Sequence, residues 1–104
     1  MSKVTVSEFI IKMEVGKSVR SELYWPDKQT GELKLTSAHS QREILSKNTV
    51  GFTLKTWYDR EQKFVPGHCN WPKRNELDKI NDTTYSITTY VNGKPDSKLI
   101  YEIL

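Results

Sequence analysis

Three separate stretches of the chain alternate apolar and polar residues with a period of two. That repeat commits the chain to antiparallel sheet more firmly than any other feature. Across residues 18–25, Val19, Ser21, Leu23 and Trp25 share one side, and Arg20, Glu22 and Tyr24 share the other. Residues 49–58 repeat the pattern, with Val50, Phe52 and Leu54 against Thr49, Gly51, Thr53 and Lys55. Residues 83–91 place Tyr85, Ile87 and Val91 opposite Thr84, Ser86, Thr88 and Tyr90. Thr and Tyr suit a half-buried pleated surface.

Turn chemistry punctuates these runs. Residues 26–31, Pro-Asp-Lys-Gln-Thr-Gly, form a loop between two hairpin strands, the second carrying Leu33 and Leu35. Asn92-Gly93 marks another turn, stretched by Lys94-Pro95-Asp96 before a last strand at 99–104. That strand is apolar on both sides. It is expected to be buried on both faces or to pair with another chain, which makes a homodimer through it a live possibility.

Helical signals are fewer. Thr5 and Glu8 form a capping box, and Val6, Phe9, Ile10 and Met13 recur at helical spacing before Gly16. A β-prone triplet at 9–11 is the rival reading. Ser40 and Glu43 form a second capping box, which predicts a short helix ending near Asn48. Asn70 would cap a third helix over 72–80, since Pro72 is tolerated in a first turn. The expectation is an α+β domain: an antiparallel sheet of about five strands packed by two or three short helices.

At 104 residues with 36% apolar side chains, the chain can furnish one core. An 11% aromatic content argues against disorder despite a mean hydropathy of −0.66. No apolar run is long enough to span a bilayer, and residues 1–11 lack a secretory signal. A single cysteine fits a reducing, cytoplasmic setting.

The net charge is +3, but the signs are mixed. Residues 1–52 hold eight basic and six acidic groups, and residues 53–104 hold eight and seven. A dedicated nucleic-acid binder concentrates positive charge in a stripe. Residues 7–23 have a superficial helix-turn-helix likeness, but only Val19 and Leu23 would pack inward, and a strand accounts better for that spacing.

Catalytic signatures are sparse. There is no phosphate loop, no GxGxxG and no zinc-protease helix. His68, Cys69 and His39 fall short of a zinc ligand set within one chain. A Cys69 nucleophile with His68 or His39 as base, oriented by Asp59 or Asn70, is not demanded by spacing. No cofactor or metal is expected.

The parity of the strands is more informative. It assigns Arg20, Tyr24, Lys55, Trp57 and Tyr90 to the face turned away from the main core. A solvated face seldom needs a Trp and two Tyr, which are the anchors of interfaces. Residues 59–72 read as a long loop carrying Phe64 and Trp71 among Arg60, Lys63, Lys73 and Arg74. The expected function is a non-catalytic module that binds another protein, inhibiting or modulating it, through Arg20, Tyr24, Lys55, Trp57, Arg60, Phe64, Trp71, Lys73, Arg74 and Tyr90. The alternative is nucleic-acid binding by the same aromatic and basic groups; the third reading is a small Cys/His enzyme.

Overall fold

The computed structural model describes residues 5–104. Residues 1–4, the start of the stretch read for a secretory signal, lie outside the described residues. One helix, α1 (Val6–Lys12), precedes seven strands: β1 (Ser18–Pro26), β2 (Leu33–Lys47), β3 (Gly51–Tyr58), β4 (Lys63–Asn70), β5 (Leu77–Asn81), β6 (Thr84–Val91) and β7 (Lys94–Ile103). All pairings are antiparallel, in the order β4-β3-β2-β1-β7-β6-β5. The domain is therefore a β-rich fold with one short helix among the described residues, and not a five-stranded sheet under two or three helices. That helix is too short to cross a membrane.

The sheet cannot be flat. Its two edges, β4 and β5, are consecutive in the chain, and residues 71–76 join them. Six inter-strand spacings of about 4.8 Å would separate the edges by about 29 Å in a flat sheet. Seven residue steps from Asn70 to Leu77 span at most about 25 Å. The sheet must curl into a trough. β2 supplies bends: its register slips three times, opposite Val19/Ser21 and Leu23/Tyr24 on β1, and at Ile44/Ser46 against β3. Each slip is a bulge, which bends and twists a strand.

Helix α1 lies in the trough. Seven residues make a marginal helix alone, so packing must hold it. Phe9 and Met13 are fully buried. Phe9 sits edge-on to Trp71 and Tyr85 and near Tyr101, and Phe52 joins this aromatic centre. Val19, Ile44, Leu54, Leu77 and Ile103 complete the core. The helix is also tied by polar contacts. Thr5 Oγ1 accepts from the Glu8 N–H at 3.2 Å, as the capping box requires. Lys47 Nζ donates to the Ile10 carbonyl, and Lys79 reaches Glu8 at 3.1 Å.

Several expectations are corrected by pairing. The second capping box is not used: Ser40 and Glu43 lie within the 15-residue strand β2. Ladder bonds to strands on both sides outcompete a helix that would bury only Ile44 and Leu45. The third helix gives way to a turn and strand β5, because β6 offers Leu77 a partner in Ile87. The long loop at 59–72 is largely strand: β4 pairs with β3 from Gly51↔Asn70 to Tyr58↔Lys63. The Asn92-Gly93 turn is tight, with both residues at positive φ and Val91 paired to Lys94, so β7 begins five residues earlier than the pattern at 99–104 implied. β7 lies between β1 and β6, and its apolar stretch from Leu99 to Glu102 is paired on both sides, while residues 94–97 pair with β6 alone. Strand pairing with a second copy therefore has no free edge at Leu99 to Glu102, the stretch on which that expectation rested.

Parity predicts the core well where the ladder is regular. Val19, Phe52, Leu54 and Tyr85 are buried. It fails at Leu35 and Val50, which are exposed beside a bulge and before a strand begins.

Candidate functional site: an outer aromatic patch and an inner cleft

The convex face is not covered by a helix, since α1 occupies the opposite side. On it, the cross-strand pair Trp57↔Phe64 brings two rings together, with centroids 5.0 Å apart at 64°. Lys55 sits over the Phe64 ring at 4.7 Å and 3.4 Å from the Glu43 carboxylate. Trp57 Nε1 donates to Asp59 Oδ1 at 2.6 Å, which fixes the indole against the hairpin turn. Phe64 remains 43% exposed. β4 is a sheet edge along its whole length. Pro66 interrupts its row of donors, a device that discourages indiscriminate strand addition.

The other residues expected at this surface are scattered. Arg60 lies in the exposed β3–β4 turn, next to the patch. Arg20 is on the convex face but paired with Glu102 at 2.9 Å. Tyr24 shares the face, and its hydroxyl donates to Glu22 at 3.3 Å. Desolvation, then the Glu22 charge and hydrogen bond, raise its pKa. Tyr24 is opposite Leu35 on β2, whereas the Arg42↔Thr56 pair sets Trp57 beside Gln41. Six residues of strand, about 20 Å, thus separate the two side chains along the sheet. Tyr90 is exposed near the β6–β7 turn, and Lys73 and Arg74 are exposed in the 71–76 crossing. Trp71 turns inward. It stacks on Phe52 at 4.8 Å, and its Nε1 donates to the Asn48 carbonyl at 2.7 Å. It closes the core as a lid.

The concave face holds a second constellation that periodicity did not expose. Beyond the end filled by α1, a cleft of about 190 Å³ opens between β1, β2, β4 and β7. Arg42 lines it, half-buried. Its Nε donates to Thr56 Oγ1 at 2.8 Å and its Nη1 to Ser21 Oγ at 2.7 Å. The Tyr101 ring lies 6.0 Å from the guanidinium carbon, and the Tyr101 hydroxyl faces Cys69 Sγ at 3.8 Å. Burial, with a smaller contribution from Cys69, pushes the Tyr101 hydroxyl far up. His39 also lines the cleft, its ring 5.4 Å from Tyr58. Desolvation and then the Arg42 charge hold its pKa down.

Cys69 and His39 therefore share a cleft, while His68, paired with Thr53, points to the convex side. Among the described residues no three His, Cys, Asp or Glu side chains converge on a metal position. The inner position of Arg42 is in phase with Ile44. One bulge residue in β2 then brings His39 to the same face, although it differs from Arg42 by an odd number. That phase change hides the cleft from any strict period-two reading.

No protein-family model, curated protein or solved structure matches this chain.

Proposed function

We propose that the protein is a non-catalytic binding module that engages another protein through the convex face of the β3–β4 hairpin. The Trp57–Phe64 pair, uncovered and flanked by Lys55 and Arg60, carries the reading. Its support is physical. Two rigid aromatics give large contact area at low entropic cost, and such residues dominate interface energetics. The cross-strand packing and the Asp59 bond hold Trp57 ready before a partner arrives, which lowers the cost of binding. Lys55 is already paired with Glu43, so the patch is aromatic with balanced charge and lacks the free cationic stripe that nucleic acid requires. A cytoplasmic setting suits the unpaired Cys69.

The test is affinity purification from the native host with wild type and Trp57→Ala side by side, followed by calorimetry on the partner recovered. The expected partner is a protein lost with Trp57→Ala, bound with weak dependence on salt. Recovery of nucleic acid with a steep salt dependence, or retention of every partner by Trp57→Ala, would refute the reading.

A further inference from the structure

The inner cleft is independent of the convex patch and has its own chemistry. Among the described residues, Arg42 is the only permanently charged side chain lining it. A guanidinium carries five N–H donors. Two are donated to the neutral hydroxyls of Thr56 and Ser21, and the Tyr101 hydroxyl lies against the same guanidinium, so every group bonded to Arg42 among the described residues is uncharged. No carboxylate among the described residues lies within ion-pair distance of Arg42, although Arg20, Lys34, Lys55 and Lys79 each have one. Drawing a cation partly out of water without a counter-charge is unfavourable, and an anion supplied from outside relieves that cost. The guanidinium fork is planar and suits a planar carboxylate.

The rest of the wall sets the ligand's body. Leu23, Leu99 and the Tyr101 ring give an apolar lining beside the charge, and Ser37 sits at the rim. Desolvation, then the Arg42 charge, lower the His39 pKa, which favours its uncharged form and leaves Arg42 as the main positive charge of the cleft. The volume accommodates on the order of six waters, or a ring-sized ligand, and is below the range of drug-sized pockets. We propose that this cleft binds a small organic monocarboxylate, its carboxylate on Arg42 and its apolar body against Leu23, Leu99 and Tyr101.

Sodium benzoate is a suitable probe, followed by ¹H–¹⁵N correlation spectra of the full chain. The expected result is saturable shifts centred on Ser21, Ser37, His39 and Arg42, with benzamide, the uncharged analogue, and acetate, which lacks the ring, each at least tenfold weaker. Arg42→Gln should weaken benzoate at least tenfold. Because Arg42 also ties β1 to β3, a second variant is needed: Ser37→Phe fills the mouth, leaves Arg42 in place, and should also abolish the shifts. Equal binding of benzamide overturns the proposal, as does inorganic phosphate binding more tightly than benzoate. Shifts that survive Ser37→Phe, or no saturable shift at millimolar benzoate, overturn it as well.

Discussion

The ring of Phe9 stands edge-on to Tyr85, centroids 5.2 Å apart, and the Tyr85 hydroxyl donates to Glu8 Oε2 at 3.2 Å on the same helix. One tyrosine thus holds a seven-residue helix by packing and by hydrogen bonding. Phe9 is fully buried at the junction of Trp71, Tyr85 and Tyr101. Phe9→Ala leaves a cavity that the curled sheet cannot collapse into, and should cost about 3–5 kcal/mol. Chemical denaturation with matched slopes measures it; a loss below about 1 kcal/mol would mean that α1 contributes little to the core.

Two glycines in neighbouring strands should answer oppositely to alanine. A Cβ on Gly51 would lie 2.0 Å from the Cys69 carbonyl oxygen and 2.8 Å from Asn70 Cα, both backbone atoms. The β3–β4 ladder must separate there, so Gly51→Ala should cost about 3 kcal/mol or more, at the upper end of overpacking effects. Gly67 has nothing within 4 Å of such a Cβ and a φ outside the left-handed region. Gly67→Ala should be neutral or stabilise by up to about 1 kcal/mol, through the unfolded chain. Thermal melts of the two variants give the comparison directly.

Alkali should unfold the protein through its buried tyrosines. Burial, then the hydrogen bond and charge of Glu8, push Tyr85 up from 10.0 to about 12. Burial pushes Tyr101 higher still. A raised pKa means that the fold keeps its proton after the unfolded chain has lost it. Stability is then intact below pH 10 and falls as pH rises towards 12. Tyrosinate absorbance should show the two buried groups titrating together with loss of structure, and Tyr85→Phe should reduce the slope. Titration of Tyr85 and Tyr101 near pH 10, as for free tyrosine, would contradict the buried arrangement.

Acid acts on the other partner of the same contact. The Lys79 hydrogen bond, outweighing partial desolvation, holds the Glu8 carboxyl below its ordinary 4.5. Its contribution is present above that value and disappears as pH falls through the lowered one. Lys79→Met should make the acid limb of the stability profile shallower, as read by denaturation at stepped pH.

On the convex face, Trp57 and Phe64 should be coupled without being essential to folding. A double-mutant cycle to alanine is expected to give an interaction of about 0.5–1.5 kcal/mol. Each single variant should remain folded by near-ultraviolet dichroism. A coupling near zero would mean that the rings do not meet in solution and that the patch is not pre-arranged.

Local sequence determined the pieces whose physics is local. The Thr5–Glu8 cap, the alternation in β1, β3 and β6, and the Asn92-Gly93 turn each follow from side chains within a few residues of one another. From parity alone, Lys55 and Trp57 fall on the face away from the core. Tertiary structure decided everything that depends on a neighbouring strand. Residues 40–47 carry a good helical cap and yet form strand, because β1 pairs with the chain as far as Glu43 and β3 takes over from Arg42 to Lys47. Phe64 meets Trp57 only once residues 63–70 pair with β3, and Trp71 turns inward only because residues 71–76 must cross the mouth of the trough. The placement of Arg42, His39 and Cys69 around one cleft depends on bulges and curl, which add single residues to a ladder and shift the phase of all that follows. A bulge is specified by how two distant strands fit, so no window of sequence around either strand contains it.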